Sequence, residues 1–322
     1  MKRIRNTAQK NPQQKNNIQR RLGRWLWIII PVISIGMVLV IMTAGKSIIT
    51  PSGDIHELVE EAKNMPVPRG GVHSDIRYGS RNFRNLKLDL YEPTSANPEG
   101  NAPLVVFYHG GSWVYGDKTT IRIIHRFLDR MREAGYFVAS VNYTAGLLGG
   151  FHAPLKNSVK AVRWLREHSS RYGYDPDSIA LYGISAGGHI ALMTETRFRD
   201  SGCIQMVLAE CAPSDLVEMA RGDAFGSSQY MDMIPDSYLR RHSPVEYVSE
   251  DMAPVLIYHG DADTIVHVDQ ARILHDAVRA VGAHSELEIY EDGTHAFLGM
   301  SDELWYQQET RALKFMREQL GG

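Results

Sequence analysis

Ser185 lies within Gly183-Ile184-Ser185-Ala186-Gly187-Gly188, between an apolar run at residues 178–182 and a stretch where Ile190, Ala191, Met193 and Thr194 fall at helical spacings. That is the strand, sharp turn, helix context in which a serine hydroxyl is presented at the tip of a turn. Small residues two places before and two after the serine are a steric requirement, because a side chain there would collide with the neighbouring strand or helix. A serine hydroxyl is a weak nucleophile by itself. To attack a carbonyl it needs a base within hydrogen-bond reach, a third group that orients the base, and N–H donors for the developing oxyanion.

In turns of this kind the acid and then the histidine follow the serine in the chain, which confines the search to residues after 185. His295, in Glu291-Asp292-Gly293-Thr294-His295, follows a strand pattern at 287–290 and so falls at a strand C-terminus, where ligands gather in open α/β sheets. His284 precedes that strand and sits at its wrong end, and His275 falls within a helical pattern. His242, His259 and His267 stay open as alternatives. For the acid, the loop after residues 255–258 offers Asp263, with Asp261 in reserve, although either could bond locally as a turn residue. Oxyanion donors are expected from the backbone of Gly110 and Gly111, in His109-Gly110-Gly111-Ser112-Trp113 directly after a continuous apolar run, and from the N–H of Ala186.

Positioning these groups takes a scaffold of alternating strands and helices. Residues 86–91 alternate as a half-exposed strand does, and residues 104–108 form the unbroken apolar run of a strand covered on both faces. Helices are expected at 121–135, 157–171, 269–281 and 302–320, and further strands at 136–141, 204–209, 255–258 and 287–290. Repeated β-then-α units mean an α/β fold with a mostly parallel central sheet and helices on both faces. Residues 213–252 are long for a connection in such a fold. They are expected to form a small cap, with Phe225, Tyr230, Met231 and Met233 facing substrate alongside Trp113.

The motifs HGGSW at 109–113, GISAGG at 183–188, HGDAD at 259–263 and GTHAF at 293–297 resemble those of α/β-hydrolase fold carboxylesterases. The likeness spans residues 75–320 and is nearest to the branch of hormone-sensitive-lipase-like and bacterial feruloyl or acetyl-xylan esterases. It implies Ser185 as nucleophile, Asp263 and His295 as its partners, Gly110, Gly111 and Ala186 as oxyanion donors, and neither a metal nor an organic cofactor. Two departures stand out: Ser112 replaces the third glycine of the family's HGGG, and Thr144 follows Asn142-Tyr143 where arginine is common. A serine peptidase or amidase of the same fold, or a silent surface binding protein on a hydrolase scaffold, would share these features.

Charge divides the chain unevenly. Eight of the 35 Lys and Arg precede Trp25 with no acid among them, which leaves 27 basic against 37 acidic residues in the remainder. So acidic a body is a poor nucleic-acid binder. Residues 25–45 carry no charge and are long enough to span about 30 Å of hydrocarbon as a helix. With the basic tail held on the cytoplasmic side, the expected layout is a tail at 1–24, a transmembrane anchor in membrane lipid at 25–45, a linker at 46–71 and an external catalytic domain at 72–322. A cleaved signal peptide is the rival, but its apolar core is usually only about 7–15 residues. Cys203 and Cys211 flank an expected strand, whose extended length of about 26 Å against the roughly 4.4–6.8 Å between bridged Cα atoms argues against a bridge and for two buried thiols.

Overall fold

The computed structural model describes residues 55–320, apart from 67, 69, 81–84, 97–101, 145–149 and 222–233. An eight-stranded sheet forms its centre, in the order β1-β2-β4-β3-β5-β6-β7-β8. The strands are β1 (Val72–Arg77), β2 (Lys87–Tyr91), β3 (Ala102–Tyr108), β4 (Phe137–Val141), β5 (Tyr174–Ile184), β6 (Ile204–Glu210), β7 (Val255–Gly260) and β8 (Ser285–Tyr290). From β4 onward across the sheet all neighbours run parallel; β1 and β2 are the antiparallel edge.

Strand periodicity divides the apolar residues into two cores, one on each face. Leu104, Val106 and Tyr108 of β3 join Ile179 and Leu181 of β5 on one side, whereas Val105 and Phe107 join Ala180 and Tyr182 on the other. Helix α3 (His152–Tyr172) covers the first face with Ala161, Val162 and Leu165; α4 (Ala186–Glu195) adds Ile190 and Ala191, and α7 (Asp269–Ala280) adds Leu274 and Val278. The second face is covered by α2 (His125–Glu133) through Phe127, Leu128 and Met131, and by α8 (Asp302–Leu320) through Leu313, Phe315 and Met316.

Two more elements matter for the site. Short helices α5 (Leu216–Arg221) and α6 (Asp236–Arg240) lie in the stretch expected to form a cap. Their Leu216, Val217, Met219 and Leu239 build a third apolar cluster with Phe151, Ile265 and Val266. The stretch expected as a linker holds helix α1 (Ile55–Asn64), and its end is tied to the domain: Arg122 donates to the carbonyl of Met65, and buried Arg132 donates to those of Gly70 and Glu92.

Candidate active site

β5 delivers Ser185 and α4 leaves it. The backbone there is in a strained, left-handed region, with φ 56° and ψ −122°. Two bonds over-determine the turn: Ser185 N–H donates to the carbonyl of Glu210 at 2.7 Å, and the Ser185 carbonyl accepts from His189 N–H at 3.1 Å. The glycines beside it are required by contact. A Cβ on Gly183 would stand 2.2 Å from the backbone of Gly187, and one on Gly187 would stand 1.9 Å from the carbonyl oxygen of Tyr108. Only without those side chains does α4 reach the end of β3.

His295 and Asp263 meet Ser185 from the loops after β8 and β7. Ser185 Oγ lies 2.9 Å from His295 Nε2, and His295 Nδ1 lies 2.7 Å from Asp263 Oδ2. The carboxylate can only accept, so the proton of the ring sits on Nδ1 and leaves Nε2 free to accept from the hydroxyl. Asp263 Oδ1 accepts from the N–H groups of Ile265 and Val266 at 2.8 and 2.9 Å, and Oδ2 also faces His259 Nε2 at 3.3 Å. Burial alone would push this carboxyl up. The bonds from His259 and His295 and the Val266 N–H outweigh it and hold Asp263 well below the usual carboxylate range.

Gly110 lies beside the serine, close enough that a Cβ on it would be 3.4 Å from that of Ser185. At Gly111 φ is 109°, and a Cβ there would meet the carbonyl oxygen of Tyr115 at 2.4 Å, so only glycine fits. Ala186 is buried at the first position of α4. Trp113 is partly buried, and its indole N–H donates to His189 Nδ1 at 3.1 Å, while His189 Nε2–H donates to the carbonyl of His242 at 2.7 Å. Burial depresses His189 to about 4, against the bond to His242, so the ring is neutral and can accept from the tryptophan.

Of the residues expected from spacing, Ser185, Asp263, His295, Gly110 and Ala186 converge. Phe225, Tyr230, Met231 and Met233 lie outside the described residues. Asp261 is exposed, with its N–H on the carbonyl of Tyr290. The rival histidines are engaged elsewhere: His242 Nδ1 with the Tyr238 carbonyl, exposed His267 with Asp269, His275 with Ser285 and exposed His284 with Glu286. Two contributors escaped the sequence. His189, next to Gly188, is one; its position in the glycine turn was the available signal. His259 is the other: spacing left it open as an alternative base, and the structure places it against the acid instead.

Cys203 and Cys211 are free and buried, as the strand between them requires. Burial, with the carboxylates of Asp263 and Glu210 nearby, holds the Cys211 thiol well above its usual range, which leaves it protonated and unreactive. Among the described residues, Cys211, His259 and Asp263 bring donor atoms within 4.8 Å of one another. Both oxygens of Asp263 are already engaged in hydrogen bonds, Oδ1 with backbone N–H groups and Oδ2 with His295, so the cluster supports the acid.

Residues 88–278 match the BD-FAE family. The chain belongs to it. Esterase LipQ of Mycobacterium tuberculosis is 27% identical over 72% of this chain and 61% of its own. The probable isoprenylcysteine alpha-carbonyl methylesterase ICMEL1 of Arabidopsis thaliana is 26% identical over 72% of this chain and 52% of its own. The chain thus spans little more than half the length of these relatives. In fold, the BD-FAE chain is similar to a truncated carbohydrate esterase from gut microbiota, with TM-score 0.65 and 19% identity over 79% of this chain and 97% of that one. Esterase 2 of Thermogutta terrifontis, phosphonylated by sarin, also has TM-score 0.65, with 24% identity over 79% and 98%. The likeness supports for this chain the α/β-hydrolase fold with a mostly parallel sheet expected from the motifs.

Proposed function

We propose that this BD-FAE protein is a serine carboxylesterase in which Ser185, His295 and Asp263 form the catalytic triad. The observation that carries the proposal is the unbroken line of hydrogen bonds from Ser185 Oγ through both nitrogens of His295 to Asp263. Ser185 Oγ attacks the ester carbonyl while its proton passes to His295 Nε2. Asp263 keeps the ring in the tautomer that accepts this proton and stabilises the imidazolium that results. Backbone N–H groups of Gly110, Gly111 and Ala186 receive the oxyanion. His295 returns the proton to the leaving alcohol, and water then attacks the acyl-enzyme by the same route in reverse. The names of relatives support an ester as substrate.

The full chain is expected to hydrolyse short-chain p-nitrophenyl esters, with Ser185→Ala slower by roughly 10⁴-fold or more in kcat. Wild-type protein no faster than that variant would refute the assignment. The proposal extends to residues 25–45 as a membrane anchor, with the basic tail cytoplasmic and the catalytic domain external. Its support is the uncharged 21-residue stretch and the eight preceding cations. These residues lie outside the described ones, among which no helix is long and apolar enough to cross a membrane. An anchored chain stays with membranes through a high-salt wash; release by salt would end that part.

A further inference from the structure

The Asp263 loop begins at His259, the penultimate residue of β7, whose side chain is fully buried. His259 Nε2 is 2.7 Å from the carbonyl oxygen of Val266 and 3.3 Å from Asp263 Oδ2. Both partners only accept, so Nε2 carries a proton and shares it between them. The carbonyl of Val266 and its N–H, which donates to Asp263 Oδ1, are therefore fastened to the same two side chains. Among the described residues, no partner lies within reach of the other nitrogen, Nδ1.

We propose that His259 is a positioning residue for the acid: its shared Nε2–H closes the 259–266 loop and draws negative charge from the oxygen that faces His295. The proposal rests on the triad reading above. Asp263 Oδ2 then accepts from two imidazoles, a short bond from the one that works with the serine and a longer one from the one that does not. The titratable groups facing this cluster are His295 from the loop after β8, and Cys211 with Glu210 from the end of β6. Cys211 is protonated and so contributes no charge. Among these titratable groups, the one left to modulate Asp263 apart from its catalytic partner is His259, beside the backbone N–H groups of Ile265 and Val266.

The sign follows from the charge. Without the His259 donor, Asp263 Oδ2 carries more negative charge toward His295, which favours protonation of the triad at higher pH. In the full chain, His259→Phe is expected to move the acidic limb of kcat/KM upward by about half a pH unit or more. It should lower kcat with KM little changed, because the acid acts in the transition state and not in binding. His259→Gln restores an N–H near the same place and is expected to bring the limb back. A limb unmoved in a folded His259→Phe variant overturns the proposal, whatever the change in Tm. Should neither variant fold, wild-type protein with ¹⁵N-labelled histidine decides: a proton on Nε2 of residue 259 and none on Nδ1 supports the proposal, and the reverse overturns it. Ser185→Ala, assayed beside these, separates the two failures, since activity surviving in it sinks the triad itself.

Discussion

Asp263 and Glu210 are both 3% exposed, on adjacent strands or just beyond their ends, and burial pushes both carboxyls up. They end at opposite extremes. Asp263 faces two imidazoles and two backbone N–H groups and is held well below its usual range. Glu210 has the Tyr182 hydroxyl and the Gln308 amide, both neutral, with the Glu309 carboxylate close by, and it rises to about 7. Equal burial therefore does not decide protonation. The number of donors and the charge of the neighbours do, and the sheet gathers more donors around the carboxylate beside the serine.

Replacing each acid by its amide tests that contrast. Asp263→Asn is expected to lower kcat by about 10⁴-fold, because an amide in that place favours the wrong tautomer of His295. Glu210→Gln should leave kcat within a few-fold, measured on the same ester. A comparable loss in both variants would break the distinction.

The next effect is on stability. Because the folded-state value of Glu210 stands above its usual 4.5, its ionisation disfavours the fold, and this contribution to stability is present below 4.5 and lost as pH rises to about 7. The stability of Glu210→Gln relative to wild type should therefore grow over that window, by on the order of 3 kcal/mol, and level off above it. Buried His109 and His189, each depressed to about 4, pull the other way: their contributions are lost as pH falls from 6.5 toward 4. They act in both proteins, so the difference between the two Tm-against-pH curves isolates Glu210. A flat difference would show that Glu210 is not strained by ionisation.

Smallest is Tyr182→Phe. It removes one of the two donors from Glu210 and should cost about 1–3 kcal/mol in denaturant unfolding at neutral pH, less at pH 5 where the carboxyl is neutral. Equal losses at both pH values would mean that the hydroxyl serves packing and not the charge.

Much of the frame was legible because burial imposes a pattern. Strands β3, β6 and β7 are covered on both faces and read as strands at 104–108, 204–209 and 255–258, wholly apolar except for Gln205, close to their observed bounds. β1 was not, since Val72–Arg77 is an edge strand with His73, Ser74 and Asp75 exposed and so lacks an apolar alternation. Helix α3 begins at His152, ahead of the expected 157, because Pro154 sits in its first turn, where a missing N–H costs no bond. The helix expected over 121–135 opens instead as a tight 3₁₀ turn at Lys118–Ile124, capped by Asp117.

By itself the sequence determined which residues could carry acyl chemistry, because the steric demands of a nucleophile turn and the chain order of acid and base leave few candidates. Only the tertiary structure decided which of several histidines and aspartates meet, separating Asp263 from Asp261 and His295 from His242, His259 and His267. It also revealed the second imidazole on the acid and the neutral His189 that holds Trp113. The reason is physical: glycine spacing and apolar runs are local constraints written along the chain. A hydrogen bond between residues 185 and 295, 110 positions apart, exists only once the strands between them have taken their places.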